Sequence, residues 1–260
     1  MKVITVVRNF DMYNNLVKNN NYYPKDTDFI CFDNTVENQT ITKRYNSFID
    51  AINTGLYGGD WCIFCHEDWE LKEDIEELLN NIDKNCVYGV IGVEYNLKII
   101  QKYKLEERII GQIYNSHKDG SGCRLLGVYD DKMQEVGTVD CQCLIIHSSL
   151  ITKYNLHFDE NLSFDLYTED FCISCRENFN IQTKILQIKC QHYSFGVLTK
   201  RFYDSFKYLQ HKYNKSKNIY CSIACHNKII GGNIKLKLLF LLNKVWFNFK
   251  KRIVKLKQVN

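Results

Sequence analysis

The sequence predicts an α/β domain in which helices flank a mostly parallel central sheet. Short apolar runs rich in β-branched residues alternate with longer segments of helical spacing, which is typical of parallel strands joined by helical crossovers. The chain has 260 residues, of which 45% are hydrophobic and 25% charged, so it can build a sizeable core. The single proline argues against a linker-rich or disordered chain.

The first third of the chain shows this alternation most clearly. Residues 2–7 are predicted to form a buried strand, because β-branched side chains dominate them. The next long apolar pattern has helical spacing and stops at Gly55, as helices often do at glycine. The expected elements are strands over 2–7, 28–32, 61–65 and 87–93, separated by helices over 12–19, 40–56 and 72–82.

The second half of the chain resumes the pattern after an interruption. Residues 94–136 change character, and the turn-rich cluster at 118–122 predicts a hairpin between strands at 109–114 and 123–129. Further on we expect strands over 139–147 and 183–189 and helices over 148–154, 169–178 and 199–213.

Twelve cysteines raise the question of disulfides or zinc. Two CxxC pairs occur, Cys62/Cys65 and Cys172/Cys175, but they lie too far apart in sequence for a zinc ribbon. Residues i and i+3 of a strand also point to opposite faces. We therefore expect reduced thiols that behave as small buried hydrophobes, with a structural zinc site as the disfavoured alternative.

The ends of the chain bear on its location. The apolar run at the N-terminus ends at Arg8, which is too short for a secretory signal. No stretch approaches the ~18 apolar residues of a spanning helix. These features predict a cytoplasmic protein.

Charge is distributed unevenly. Residues 205–260 contain thirteen Lys or Arg and no acidic residue. Because the whole chain has a net charge of +4, residues 1–204 carry a net charge of about −9. We expect a domain over 1–213 and a basic, amphipathic helical extension over 214–260. Its stripe of apolar side chains with cationic flanks suits a helix lying on anionic lipid, peripheral to the membrane, or a closing helix packed on the domain. Nucleic acid is disfavoured, because no recognition motif accompanies the charge.

Polar residues cluster where predicted strands end, and ligands of open α/β sheets bind at such strand ends. This rule selects Asn9, Asp33, Asp140 and the turn His66–Asp68. A carboxylate at the end of a buried strand can hold Mg²⁺ or Mn²⁺ beside substrate phosphates. The alternative is a polar turn that caps the next helix.

Two later clusters also carry polar chemistry. Carboxylates at Glu169 and Asp170 precede a helix, where one of them could act as general base or simply join Thr168 in capping the helix. His192 follows a predicted strand. It is either a structural histidine or a ligand, depending on its distance from Asp68.

The order of these motifs resembles the GT-A glycosyltransferase family 2-like proteins, in the shorter branch with an FCH(Q/E)D element in place of DxD. The resemblance covers roughly residues 1–200. Its pieces are Val6-Val7-Arg8-Asn9, Arg44-Tyr45-Asn46-Ser47-Phe48-Ile49, Ile63-Phe64-Cys65-His66-Glu67-Asp68, Val139-Asp140, Phe158-Asp159-Glu160, Glu169-Asp170 before Arg176, and His192. The fold implied is a Rossmann-like sheet that binds nucleotide-diphospho-sugars.

The resemblance also implies roles for individual residues. Asp170 matches the catalytic base of an inverting displacement, and Asp68 with His192 matches the site of Mn²⁺ or Mg²⁺. The implied nucleotide-sugar contacts are Asn9, Asp33, Arg44, Asn46, His66 and Glu67, and the implied donor or acceptor pocket adds Asp140, Trp69 and Glu169.

The function expected from the resemblance is sugar transfer from a nucleotide-diphospho-sugar, a UDP-sugar in the first place, to a glycan or lipid-linked acceptor. Two alternatives remain open at this point. A catalytically silent GT-A domain would bind sugar nucleotide or glycan without transfer, and a lipid-surface scaffold would use its basic tail and bind no nucleotide.

Overall fold

A computed structural model describes residues 1–94, 109–128, 133–225, 229–235, 237–238 and 241–242. A seven-stranded sheet forms its centre, in the order β2-β1-β3-β11-β5-β12-β9. Strands β9 and β11 run opposite to the other five. The strands of this sheet are β1 Lys2–Val7, β2 Asp28–Asp33, β3 Trp61–Cys65, β5 Val87–Gly89, β9 Glu135–Val136, β11 Cys143–His147 and β12 Thr183–Ile185.

A second sheet packs beside the first in the order β10-β6-β7-β13-β4, with β8 paired to β7. Strands β7 and β8 form the hairpin expected from the sequence. The members are β4 Trp69–Leu71, β6 Ile91–Val93, β7 Ile109–Asn115, β8 Arg124–Val128, β10 Thr138–Val139 and β13 Cys190–His192, and a separate two-stranded sheet holds β14 Ile219–Tyr220 and β15 Ile230–Gly231.

Helices cover both faces of the central sheet. They are α1 Phe10–Tyr13, which continues as a π-helix over Asn14–Lys18, then α2 Ile41–Asn53, α3 Glu76–Asn80, α4 Ser148–Tyr154, α5 Tyr167–Phe179 and α6 Lys200–Lys212. The apolar faces of α2, α4, α5 and α6 pack in one core cluster, and those of α1 and α3 pack in a second. The predicted α/β class is thus confirmed, and the helix-flanked sheet agrees with the architecture that the resemblance implies.

Strand β3 separates the two core clusters. Cys62 and Phe64 face one cluster, whereas Ile63 and Cys65 face the other, as the two-residue period of a strand requires. The eleven cysteines whose side chains are described are all free. Most of these side chains are buried, as expected of cysteines that behave as small hydrophobes.

Several predicted elements differ from the structure. The helix expected over 72–82 is shorter in the structure, where only Glu76–Asn80 are helical. It begins late because the backbone N–H of Lys72 donates to the carbonyl of Lys189 and continues the pairing of β4 with β13 by one residue. The strands expected over 87–93 and 139–147 are each broken in two, since their halves belong to different sheets. A continuous apolar run does not show where a strand changes sheets.

The packed domain continues past residue 213, where the sequence places its end. Ile219 and Tyr220 are completely buried, and Tyr220 and Ile230 belong to the larger core cluster. Much of the helical extension expected over 214–260, including all of 243–260, lies outside the described residues. Within the described part of the chain, no helix is long and apolar enough to cross a membrane.

Candidate metal and transfer site

The turn after β3 is held in place by hydrogen bonds to strands of both sheets. The His66 backbone N–H donates to the carbonyl of Gln142 at 3.0 Å, which continues the pairing of β3 with β11. Trp69 then starts β4 and lies opposite His192 in the antiparallel pair β4–β13. The Tyr193 N–H donates to the Asp68 carbonyl at 2.9 Å. This register places His192 beside the His66–Asp68 turn.

Three side chains converge there. Asp68 Oδ1 lies 3.4 Å from His192 Nε2 and 4.0 Å from His66 Nδ1. One ligand atom from each of the three residues lies within 4.8 Å of the others. All three side chains are largely buried, with exposures of 10–18%. The structure therefore brings together His66, Asp68 and His192, which the sequence only suggested.

Hydrogen bonds fix the tautomer of His66. Tyr167 Oη donates its one proton to the carbonyl of Cys141 at 2.6 Å, so it accepts from His66 Nε2 at 3.1 Å. The hydrogen is then on Nε2, and the Nδ1 lone pair faces Asp68. Burial lowers the pKa of His66 to about 4, although the Asp68 charge opposes this shift. His66 is thus held as the neutral imidazole that can ligate a cation.

The other two members complete a suitable ligand set. Burial alone would raise the pKa of Asp68, but the hydrogen bond and charge of His192 outweigh it and lower the pKa to about 2. Burial alone would lower the pKa of His192, but the hydrogen bond to Asp68 outweighs burial and raises the pKa above its ordinary value. A carboxylate with two imidazoles suits a borderline ion such as Mn²⁺ better than Mg²⁺, which prefers oxygen ligands. These side chains fit the implied metal, provided that His192 releases its proton when the cation binds, as ligation by imidazole requires.

Two cavities meet at this cluster. The first has a volume of about 370 Å³ and the second about 480 Å³, and both are lined by His66, Asp68, Phe164 and Arg201. Arg201 Nε lies 2.5 Å from Asp165 Oδ2, and its guanidinium stacks over Phe164 at 4.7 Å. The Arg201 guanidinium therefore lies in the wall shared by the two cavities, which we call the junction, together with His66 and Asp68.

The first cavity lies beyond the carboxyl ends of β1 and β2. Its polar wall includes Arg8, Asn34, Asn38, Gln39 and Thr40. Asn34 is buried and exchanges hydrogen bonds with the Gln39 backbone in both directions. The loop after β2 is thus held in a defined shape around the cavity.

Besides Asp68 and Asp165, two further carboxylates, Asp140 and Glu169, line the second cavity. Glu169 is 2% exposed. It accepts hydrogen bonds from Ser222 at 2.7 Å and Thr168 at 3.1 Å. Burial and the charge of Asp140 raise the pKa of Glu169 to about 8, against the effect of these donors. A carboxyl group with such a pKa can take or release a proton near neutral pH.

Asp170, the expected base, is directed elsewhere. Its carboxylate pairs with Lys212 at 2.8 Å and accepts from Tyr213 Oη at 2.8 Å. It lines neither of the two cavities at the junction. The structure therefore gives Asp170 a place between α5 and α6, and it places Glu169 on the cavity side.

The remaining predicted residues separate into two groups. Glu67 lines the first cavity, but its Oε2 accepts from the backbone N–H groups of Arg8 and Asn9. The others lie away from both cavities at the junction: Asn9 caps α1, Asp33 binds Thr35 in its own turn, Arg44 pairs with Glu37, Asn46 holds the backbone of Phe158, and Trp69 is buried in the core. The contacts of these five residues stabilise turns, helix ends and the core.

Sequence reasoning missed Phe164, Arg201 and Ser222. Arg201 stands in a predicted helix with other basic residues, and no local pattern distinguishes it from a solvated charge. Ser222 lies beyond the predicted end of the domain. An aromatic residue directly before Asp165 was the only available signal for Phe164.

Comparison with known proteins gives weak similarities. No family model and no curated protein match the sequence. S. aureus TarS has a TM-score of 0.42 at 13% identity, over 81% of this chain and 39% of that one. The structure of GalNAc-T7 with UDP, GalNAc and Mn²⁺ has a TM-score of 0.41 at 11% sequence identity, and the match covers 94% of this chain and 54% of that chain. The structure of A197 from STIV has a TM-score of 0.37 at 14% sequence identity, and the match covers 89% of this chain and 94% of that chain. The chain spans less than two thirds of the length of TarS and of GalNAc-T7.

The three-ligand cluster predicts metal binding that depends on His192. We expect His192→Ala to weaken Mn²⁺ binding more than about 100-fold, because it removes a ligand rather than a supporting group. Titration calorimetry with MnCl₂ measures this effect. His157→Ala is the matched control, because His157 pairs with Asp50 at the surface and should leave Mn²⁺ affinity unchanged. Equal affinity in the wild type and His192→Ala would exclude this cluster.

The Glu169 environment predicts a pH-dependent stability difference. The folded pKa of about 8 lies above the ordinary 4.5, so folding favours the protonated form. Its contribution is complete below about pH 4.5 and is lost as the pH rises to about 8. Glu169→Gln lacks this dependence, and its free energy of unfolding should therefore rise relative to the wild type over that range. Urea unfolding at pH 5, 6.5 and 8 tests this, and a constant difference would contradict it.

Proposed function

We propose that this protein is a metal-dependent GT-A glycosyltransferase that transfers a sugar from a nucleotide-diphospho-sugar to an acceptor hydroxyl. One observation carries the proposal. A two-histidine, one-aspartate cluster lies at the junction of two cavities, and the second cavity holds a buried carboxyl group whose pKa is near 8. Such a site separates cation binding from proton transfer.

The donor would occupy the first cavity and the junction. We place the nucleoside against the loop after β2 and the diphosphate beside Arg201, because a guanidinium recognises phosphate oxygens by paired hydrogen bonds. His66, Asp68 and His192 would hold the cation. When bound, the cation would neutralise the charge that develops on the nucleoside diphosphate leaving group. A UDP-sugar is the first donor class to test.

The acceptor would enter the second cavity, where Glu169 would remove the proton from its attacking hydroxyl. Attack on the anomeric carbon from the side opposite the leaving group would invert its configuration. We assign the base to Glu169 rather than Asp170, because Lys212 and Tyr213 engage the Asp170 carboxylate away from the cavity. Glycan and lipid-linked acceptors both remain within the proposal.

A thermal-shift screen of nucleotide sugars with and without Mn²⁺ tests donor binding. We expect a UDP-sugar to raise the melting temperature only when Mn²⁺ is present, and Asp68→Asn to abolish that increase. The Asp50→Asn variant, at the surface pair with His157, should respond as the wild type does. Absence of any nucleotide-sugar response would exclude the proposed function, whereas binding without transfer or donor hydrolysis would indicate a silent binding domain.

The choice of base is tested on two neighbouring residues. We expect Glu169→Gln to lower the transfer rate at least about 100-fold with donor binding retained, because general-base catalysis contributes about that much. Asp170→Asn should lower stability, since it breaks a buried ion pair, while the folded enzyme keeps most of its rate. Steady-state kinetics and melting temperatures separate the two effects. The reverse pattern would return the base to Asp170.

A further inference from the structure

The segment Ser216–Ala224, which we call the C-terminal strap, runs along helix α5. At one end, three of its side chains donate to Glu177 Oε1: Ser216 at 2.9 Å, Asn218 at 2.7 Å and Tyr220 at 2.5 Å. At the other end, Ser222 donates to Glu169 at 2.7 Å. The strap is thus fastened to both ends of the helix that carries Glu169.

The middle of the strap is immobilised in the core. Ile219 and Cys221 pack with Val93 in a small buried cluster, and Thr138 Oγ1 donates to the Cys221 carbonyl at 2.5 Å. Ser222 itself is completely buried. The next residues, Ile223 and Ala224, line the second cavity. The strap therefore forms part of the cavity wall and holds Ser222 in one place.

The hydroxyl of Ser222 is oriented toward Glu169. Its oxygen accepts the backbone N–H of Ala224 at 3.2 Å, and its single proton is directed at Glu169 Oε1. Thr168, the other hydroxyl donor to Glu169, also lies 3.3 Å from the carbonyl of Val139. One hydroxyl proton serves one acceptor at a time. The Ser222 proton therefore goes to the Glu169 carboxylate, whereas the Thr168 proton is divided between Glu169 and the Val139 carbonyl.

Within the part of the chain that the structure describes, the other titratable groups that act on Glu169 come from two elements. Asp140 and Cys141 belong to the turn between β10 and β11, and Tyr167 and Cys172 belong to α5 itself. The Asp140 charge and the buried surroundings oppose ionisation of Glu169. The oriented hydroxyl of Ser222 opposes that effect, because a hydrogen bond to the charged form stabilises it.

We propose that Ser222 is a positioning residue that fixes the Glu169 carboxylate in the wall of the second cavity and supports its ionised form. The inference rests on the proposed role of Glu169 as general base. Through Ser222, the C-terminal strap sets the pH range in which the base is available. The strap is thereby part of the transfer site, although it follows the expected end of the domain.

The test is a ¹³C NMR titration of the side-chain carboxyl carbons of labelled glutamates in the full chain, with the Glu169 signal assigned by its loss in Glu169→Gln. We expect Ser222→Ala to raise the Glu169 midpoint by about one to two pH units, the loss of a hydrogen bond to a charged group. Ser216→Ala is a matched control, because Ser216 also accepts an N–H two residues on and donates to a glutamate of α5. It should leave the Glu169 midpoint unchanged.

A second variant keeps the test decisive if Ser222→Ala does not fold. Ser222→Cys retains a weaker donor in nearly the same volume and should shift the midpoint by a smaller amount. Equal midpoints in the wild type, the Ser222 variants and Ser216→Ala would overturn the inference. The NMR readout needs no substrate, so a shifted midpoint in a protein without transfer activity would reject the proposed function and leave the Ser222–Glu169 coupling standing.

Discussion

The site depends on one short piece of sheet pairing, the antiparallel contact of Trp69–Leu71 with Cys190–His192. This pairing starts one residue after Asp68 and ends at His192, so it brings the two side chains to 3.4 Å. The hydrogen bond from Tyr193 to the Asp68 carbonyl extends the pairing across the turn. A shift of one residue in this register would send His192 to the other face of its strand.

Buried carboxylates at this edge have opposite protonation behaviour. The pKa of Asp68 falls to about 2 because the hydrogen bond and charge of His192 outweigh its burial. The pKa of Glu169 rises to about 8 because burial and Asp140 outweigh its two hydroxyl donors. The first group is held as an anion that can bind a cation, and the second as an acid or base. Their neighbours thus assign two roles to the same chemical group.

Helix α5 shows why adjacent carboxylates are not equivalent. Successive helical residues point about 100° apart, so Glu169 and Asp170 leave the helix in different directions. Glu169 meets Ser222 and the cavity, whereas Asp170 meets Lys212 and Tyr213. These contacts join α5 to both α6 and the strap. The wall of the second cavity and the packing of the C-terminal residues are therefore one structure.

By itself, the sequence determined the features that arise from local periodicity: β1, β2, β3, α2 and α5 near their observed bounds, and the split of Cys62 and Cys65 between two faces. It also placed a polar turn with candidate cation ligands at the end of β3. Tertiary structure alone decided that His192 joins this turn, that Glu169 faces the cavity, and that Arg201 and Ser222 belong to the site. Those contacts depend on sheet register and helix rotation between segments distant in sequence, and periodicity within one segment specifies neither.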